Sequence, residues 1–472
     1  MLGRTEFYID GRWVAPGGVG RIDVENPATE EIIGVVGEGV PSDVDAAVKA
    51  ARAAFPSFSA TSKSERLALL ERIVSVFESR THDIASVISR EMGSPISFAY
   101  KAQACGPLDH FRTAIQTLQS YSFTHEIDGA EVVRESIGVC GFITAWNWPL
   151  SLIASKLAYA LAAGCTVVLK PSEISPLSAL MLAQVLHDAE VPAGVFNLVN
   201  GTGPVVGHAI ASHPDIDMVS FTGSTRAGVL IAKAAADTVK RVHQELGGKS
   251  AHIVLPDADV AAAAHANVQR LFANAGQSCQ APTRMLVHSS RYEEALIHAR
   301  NAAEQVKVGA PSDPDTFLGP VVSKTQFDRV QTLIESGISQ GARLVTGGLG
   351  KPEGLSKGHF VRPTIFGDVD NSMTIAREEI FGPVLPIISY SSVDEAVAIA
   401  NDTPYGLATY IQAETKAEAR ELAPRLRSGR VYLNSMGAHT RAPFGGYKQS
   451  GNGREQGEFG LEEYLEVKAI IS

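Results

Sequence analysis

Between residues 139 and 246 short β-prone apolar runs alternate with helix-length segments, and this alternation restricts the fold more than any other feature of the chain. The strand-like runs are 139–145, 166–169, 195–199, 217–221 and 240–246. Helices are expected after Pro149 and from Pro176, Pro204 and Thr225. Strands separated by helices pair in parallel, because a crossover helix packs back onto the sheet with one hand. The expectation is α/β: a doubly wound, Rossmann-like sheet with its ligand at the carboxyl ends of the strands.

A second α/β unit is expected over about 250–435, with strands near 251–255, 284–288, 384–390, 407–412 and 430–434. Upstream, Asp10-Gly11 turns a hairpin over 6–14. Helices are expected over 42–55 and 62–80, opened by Ser42 with Asp45 and by Ser62 with Glu65 in capping-box spacing. Leu67, Leu70, Val74 and Phe77 form one apolar stripe on the second. Further helices are expected over 81–92 and 97–118. Residues 121–127 and 131–137 read as an outlying hairpin around Asp128-Gly129, and the tail 461–471 reads as a strand that would pair with it. The Gly-rich polar loop 441–455 reads as site-forming.

A chain of 472 residues exceeds one ordinary core and implies two or three domains. Its net charge of −10, with mixed signs throughout, offers no basic face to nucleic acid. Cys105, Cys140, Cys165 and Cys279 show neither CxxC spacing nor a nearby His cluster, so neither a metal site nor a disulfide framework is expected. The N-terminus lacks an apolar signal-peptide core. The most apolar region, 143–169, is interrupted by Asn147, Pro149 and Lys156, short of the roughly 18 apolar residues of a membrane helix. A cytoplasmic chain with no membrane partner is expected.

A lone cysteine usually packs as a small apolar residue. Cys279 differs in its setting. It sits in Ala273-Asn274-Ala275-Gly276-Gln277-Ser278-Cys279-Gln280-Ala281-Pro282-Thr283-Arg284, a polar turn between an Ala-rich helical run (260–272) and a strand-like run (285–288), where a thiol is exposed to act as a nucleophile. Glu245 closes an apolar strand before Gly247-Gly248-Lys249 and reads as a general base or as an ordinary strand-end acid. Asn147, ending another strand in Trp146-Asn147-Trp148-Pro149, reads as an oxyanion donor or a turn cap. Two Gly-rich turns after strands, Gly201 to Gly207 with Gly203 between, and Gly223 to Gly228, suit dinucleotide phosphates at helix N-termini. Lys170-Pro171-Ser172-Glu173 ends another strand, and a carboxylate there accepts from ribose hydroxyls and repels a 2′-phosphate, favouring NAD over NADP. Arg226 nearby would tolerate a phosphate.

Taken together, these pieces resemble the aldehyde dehydrogenase superfamily. The matches are Trp146-Asn147-Trp148-Pro149, Lys170-Pro171-Ser172-Glu173, Phe221-Thr222-Gly223-Ser224, Glu245-Leu246-Gly247-Gly248-Lys249, Gly276-Gln277-Ser278-Cys279, Glu379-Ile380-Phe381-Gly382-Pro383 and Pro443-Phe444-Gly445-Gly446, in the family's order across nearly the whole chain. The resemblance implies an NAD-binding domain (1–119 and 138–247), a catalytic domain (248–437) and a small β bridging domain (120–137 and 438–472), assembled as a homodimer or homotetramer. It implies Cys279 as nucleophile, Glu245 as general base, Asn147 with the Cys279 amide as oxyanion hole, and Lys156 with Glu455 as a proton relay. The implied cofactor contacts are Ile143, Thr144, Trp146, Lys170, Ser172, Glu173, Gly203 and Gly207, then Phe221, Thr222, Gly223, Ser224, Leu246, Gly247, Glu379 and Phe381. Trp148, Leu150, Leu152, Ser278, Gln280 and His439 fall near the implied aldehyde tunnel; their mixed character suits a medium-sized apolar or aromatic aldehyde. Arg441 reads as a surface residue or as a partner for a substrate carboxylate.

The implied reaction oxidises an aldehyde to its carboxylic acid with NAD+ and water, through a thiohemiacetal and then a thioester on Cys279. Branches that pass the acyl group to coenzyme A tend to lack the base, so Glu245 favours hydrolysis over a CoA-acylating enzyme. A cofactor-free cysteine esterase or thioesterase would leave the Gly-rich turns and the Lys170/Glu173 pair without a task. A catalytically idle member would be expected to have lost Cys279 or Glu245.

Overall fold

The computed structural model describes residues 3–437 and 439–472. Its larger sheet has eight strands, and the five at its centre run parallel in the spatial order Arg241–Glu245, Met218–Thr222, Val139–Ile143, Thr166–Lys170 and Phe196–Leu198. The strand order reverses beside Val139–Ile143, because the chain first winds outward through Thr166–Lys170 and then returns to the other side. At such a switch point the flanking loops diverge and leave a crevice at the carboxyl ends of the strands. Both edges of the sheet are antiparallel. The hairpin Phe7–Ile9/Arg12–Val14 closes one, turned at Asp10-Gly11 as expected, and Gly451–Asn452 closes the other against Gln244 and Glu245.

The second sheet has seven strands: Arg343–Thr346, Thr364–Gly367, Val384–Tyr390, Arg284–His288, Ala251–Val254, Ala408–Gln412 and Arg430–Leu433. All pairs are parallel except the first. A third sheet pairs Leu465–Ile470 with Ala130–Ser136, from Leu465 opposite Ser136 to Ile470 opposite Glu131, and Thr124–Ile127 lies outside it. The tail therefore joins the outlying hairpin, although Leu461 and Glu462 at its start end the helix Gly457–Glu462 and the strand itself is Leu465–Ile470.

Several local expectations need correction. The first helix, Pro41–Ser59, begins with Pro41 after Val40 at the N-cap, and Asp43 in its first turn accepts from Val40 N at 2.9 Å and Gly17 N at 2.8 Å; Ser42 and Asp45 do not form the box. Ser62 and Glu65 do form one, with reciprocal bonds of 3.2 and 2.7 Å. Five strands lack an expectation: Arg21–Asn26, Glu31–Gly37, Arg343–Thr346, Thr364–Gly367 and the two-residue Gly451–Asn452 within the expected loop. The first three are partly exposed and carry charged residues in place of a clean apolar alternation. Two expected α-helices open with wider π turns, Ala99–Ala104 ahead of Gly106–Ser120 and Gly203–Gly207 ahead of His208–Ser212. Such turns carry an extra residue in the helix and recur at functional sites.

Candidate active site

The loop bearing Cys279 is built around three consecutive left-handed residues. The helix Val260–Phe272 gives way to Asn274 at φ 54°, Ala275 at φ 55° and Gly276 at φ 76°. An L-residue pays about 1–2 kcal/mol in that conformation, so neighbouring contacts must impose it. Asn274 supplies them: its amide nitrogen donates to Asn147 O at 2.9 Å and Gln277 O at 3.2 Å, while its amide oxygen accepts from Gln103 Nε2 at 3.1 Å. Gln277 closes the loop, accepting from Val322 N at 2.9 Å and donating to Asn274 O at 3.1 Å. Gly276 has no room for a side chain. A Cβ there would lie 2.2 Å from the carbonyl of Gly382, which is why the Gly276 and Phe381-Gly382-Pro383 stretches meet backbone to backbone.

Asn147 follows the strand Val139–Ile143 and is buried. One of its two amide protons is committed to Gln277 O at 3.1 Å, leaving the other for a ligand. Its carbonyl is fixed by Gln103 Nε2 at 3.2 Å as well as by Asn274. Gln103 stands on the π turn Ala99–Ala104, so that irregularity serves to orient the amide. Gln103 and Asn274 are supporting residues that sequence reading missed, since nothing in their spacing connects them to Asn147.

Asn147 and Cys279 line one cleft of about 500 Å³ that also contains Trp146, Gly223, Ser224 and Glu379. Leu152, Thr222, Leu246, Gly247 and Phe381 complete the expected part of its wall. Gln326, Arg329 and Tyr405 were not anticipated; they come from the second lobe, and their chain positions carry no motif. Gln326 Nε2 donates to Phe381 O at 2.8 Å, holding Phe381 in a left-handed conformation at φ 58° with its ring edge-on to Trp146 at 5.4 Å. Glu379 accepts from Gly248 N at 2.9 Å and is pushed up to about 7 by burial. A Cβ on Gly247 would stand 2.3 Å from the Glu379 carboxylate, so a side chain there would push the carboxylate from its place.

Burial, and then the charges of Glu379 and Glu245, push the Cys279 thiol up to about 12. The side chain is partly open to the cleft, so the group is a protonated but reachable thiol. Glu245 lies behind it, at the end of Arg241–Glu245 and outside the cleft lining, with neither oxygen hydrogen-bonded among the described residues. Burial and the neighbouring Glu455 raise its carboxyl well above the usual range. Gly445 forms part of its wall: a Cβ there would sit 2.8 Å from Glu245 Oε1. Glu455 pairs with Lys156 at 2.5 Å, both buried. Burial alone would raise Glu455, but the Lys156 ammonium and its hydrogen bond outweigh this and hold it low. His243, two residues before Glu245 and so on the same face of the strand, brings Nε2 to 3.6 Å from Glu245 Oε1. That i, i+2 spacing was the signal available for it.

At the far end of the crevice Lys170 Nζ binds Glu173 Oε2 at 2.8 Å and Pro171 O at 2.8 Å. Burial acts to raise Glu173, and Lys170 overrides it. These residues fit a dinucleotide. Gly203 faces open space, Ser224 caps the helix Thr225–Ala235 by accepting from Ala227 N at 3.3 Å, and the buried hydroxyls of Thr144 and Thr222 have no partner among the described residues. Ile143 and Phe221 pack beneath, in the apolar cluster under the crevice. Gly207 sits over Ile143 and the Lys170 stem. Ser172 is a turn residue, accepting from Ile174 N at 3.3 Å.

The expected substrate contacts divide. Trp148 Nε1 donates to Ser278 Oγ at 2.9 Å beside the nucleophile, and Gln280 Oε1 accepts from Tyr432 at 3.0 Å. Leu150 is wholly buried in the core of the larger lobe, because the roughly half turn of helix between them points Leu150 inward and Leu152 to the cleft. His439 is exposed, and its Nδ1 accepts from Ala442 N at 3.0 Å, fastening its own loop; Arg441 is exposed as well. No group of three or more metal-ligating side chains occurs among the described residues, and no described helix is long and apolar enough to cross a membrane.

Comparison with known proteins bears on this arrangement. Residues 13–470 match the model of the aldehyde dehydrogenase family. The chain is 53% identical over 472 residues to a 3-succinoylsemialdehyde-pyridine dehydrogenase of a Pseudomonas species, covering 100% of this chain and 99% of that one. It superposes with TM-score 0.99 and 53% identity on a mutant of aldehyde dehydrogenase C from Pseudomonas syringae complexed with NAD+ and octanal, covering 100% and 98% of the two chains. An aldehyde dehydrogenase of Mycobacterium tuberculosis complexed with NAD+ gives TM-score 0.97 and 41% identity, covering 99% and 98%.

Proposed function

Because the chain belongs to the aldehyde dehydrogenase family, we propose that the cleft shared by Cys279 and the dinucleotide crevice is where it carries out its NAD-dependent oxidation of an aldehyde to the acid. The observation that carries the assignment of residues is that single cleft: the thiol, the Asn147 amide and the Gly223-Ser224 turn all open into it. When bound, NAD+ supplies the hydride acceptor. Lys170, Glu173, Gly203, Gly223, Ser224 and Glu379 would hold it, and Glu173 favours NAD over NADP.

An aldehyde carbon must become tetrahedral before it can give up hydride, and Cys279 sulfur makes that bond. The thiol's high affinity for its proton requires a base at the moment of attack; of the buried carboxylates whose charges act on it, Glu379 and then Glu245 and Glu455, we assign that role to Glu245. The free amide proton of Asn147, with the Cys279 backbone N–H, stabilises the oxyanion. Once oxidised, the carbon is a thioester on Cys279. Glu245 then takes a proton from the attacking water, and the C–S bond breaks to release the carboxylic acid and restore the thiol. Glu455 and Lys156 stand behind Glu245 to relay away the proton it took from the thiol, so that Glu245 is free to accept the water's proton and return it to the departing sulfur. A general base at 245 supports hydrolysis over transfer to coenzyme A.

For substrate, the half-buried Trp148 beside Ser278 and the apolar Leu152 of the cleft suit a medium-sized apolar or aromatic aldehyde, in keeping with the octanal and pyridine-semialdehyde named for the two Pseudomonas relatives. Residues 1–119 with 138–247 act as the NAD-binding domain and 248–437 as the catalytic domain. Residues 120–137 with 438–472 form the bridge through which a cytoplasmic homodimer or homotetramer assembles. Light scattering at micromolar concentration tests the assembly. For the chemistry, Cys279→Ala should abolish NADH formation from aliphatic and aromatic aldehydes while leaving NAD+ affinity within about twofold; substantial residual oxidation removes Cys279 from its role.

A further inference from the structure

Glu245 and His243 are adjacent inward-facing residues of one strand, and each presents an unsatisfied polar atom to the other. His243 Nε2 lies 3.6 Å from Glu245 Oε1, neither atom has a hydrogen-bond partner among the described residues, and both side chains are under 5% exposed. The gap is too short to admit a bridging water and only a few tenths of an ångström beyond a hydrogen bond, so a small rotation of the Glu245 carboxyl closes it. The other ring nitrogen, Nδ1, is 3.0 Å from the buried hydroxyl of Ser220 on the neighbouring strand Met218–Thr222. Gly453 packs on the ring so closely that a Cβ would come within 2.4 Å of it, which prevents the imidazole from swinging away.

On the reading that Glu245 is the general base, we propose that His243, backed by Ser220, is a positioning residue that docks Glu245 in its withdrawn pose and accommodates both of its protonation states. A neutral imidazole can do this because its two nitrogens exchange roles. With Glu245 protonated, its O–H donates to Nε2 and Nδ1–H donates to Ser220 Oγ. With Glu245 ionised, Nε2–H donates to the carboxylate, and the Ser220 hydroxyl turns to donate to Nδ1. The imidazole stays neutral in both states, so it adds no charge of its own to the core. The surroundings enforce neutrality: burial, then the Lys156 ammonium, depress His243 to about 3, against the opposing pull of Glu455. The charged groups facing the pair are Lys156 from the helix Pro149–Ala163 and Arg454 and Glu455 from the loop before Gly457–Glu462, with Arg430 also acting on Glu245. The docked pose keeps the carboxyl out of the cleft lining until it is needed.

The test reads Glu245 itself. In the full-length enzyme the protonated-carboxyl infrared band that disappears in Glu245→Gln is followed against pH. His243→Leu removes the donor to the carboxylate and should raise the band's midpoint by about one pH unit or more. His243→Gln, whose amide both donates and accepts, should return it toward the wild-type value, which a merely structural role would not do. Ser220→Ala, a smaller change in case the leucine variant does not fold, should move it in the same direction by less. A midpoint unmoved in Ser220→Ala and in any folded His243→Leu overturns the docking role. Should Glu245→Gln sustain full turnover, the base assignment fails separately, and the infrared midpoint still decides whether His243 pairs with Glu245.

Discussion

Lys156→Met tests whether the buried Lys156–Glu455 pair is what keeps a second carboxylate tolerable beside Glu245. The two side chains are 0% and 5% exposed and 2.5 Å apart. Breaking such a pair by removing one partner costs about 3–5 kcal/mol, because the remaining charge is left buried and uncompensated. Spread over a lobe of this size, that lowers the melting temperature by several degrees. Glu455→Gln strands the lysine and should cost a similar amount. The double variant, which buries two uncharged side chains, should recover to within about 1–2 kcal/mol of wild type. The pH dependence has a defined sign. In the wild type Glu455 is held below its ordinary value, so the pair's contribution is complete above the unfolded pKa, roughly 4.3, and is lost as pH falls through the folded one. Without Lys156, burial raises Glu455, and protonation relieves part of the penalty. The gap between Lys156→Met and wild type should therefore narrow from pH 8 to pH 5. Thermal or urea denaturation of the four proteins closes the cycle. A coupling below about 1 kcal/mol, or a gap that widens at low pH, refutes the reasoning.

Three other outcomes are expected. With its thiol raised to about 12, Cys279 in the free enzyme should react with iodoacetamide at pH 8 on the order of 10²–10³ times more slowly than an unperturbed thiol, with the rate still climbing above pH 10; a plateau near pH 8 contradicts the burial described. Glu245→Gln removes the base for thiol attack as well as for hydrolysis, so stopped-flow absorbance should show a slowed first turnover of NADH followed by a stalled steady state; a variant that turns over at the normal rate places the base elsewhere. Gly276→Ala would force a Cβ to within 2.2 Å of the Gly382 backbone at φ 76°, so it should lower kcat at least tenfold by displacing the cysteine loop; near-normal turnover would show that the loop tolerates displacement.

Much of this site is visible in the chain because its main residues stand where strands end. Asn147, Lys170 and Gly223 each follow an apolar run, and a strand-to-loop transition is legible from composition; Glu245 ends the largely polar strand Arg241–Glu245 and is marked instead by the Gly247-Gly248 pair after it. Cys279 is legible for a related reason, since an Ala-rich helix stops at a polar stretch before a strand. The interior of that stretch is not legible. Three left-handed residues in a row, two of them non-glycine, follow from tertiary hydrogen bonds to Gln103 and Asn147, more than a hundred residues away. The π turns escape for the same reason, as periodicity fixes that a helix exists but not its local winding. Leu150 was misplaced because only the helix phase, set by packing, distinguishes it from Leu152.

The glycines tie these observations together. Gly247 meets Glu379, Gly248 meets the Cys279 carbonyl, Gly276 meets Gly382, Gly445 meets Glu245 and Gly451 meets the Gln244 carbonyl, each at a separation that leaves no room for a Cβ. Every one of these contacts joins segments distant in sequence, and several cross between the two lobes. The cleft is thus closed by backbone touching backbone or a functional side chain, which fixes positions more tightly than flexible side-chain packing can. A glycine pair following a strand-end acid therefore marks where a second element must come close, and the element that comes close at Gly247-Gly248 is the one carrying Glu379 on one side and Cys279 on the other. The base, the nucleophile and the cofactor-facing carboxylate are in this way referenced to one short stretch of backbone, Glu245 to Gly248.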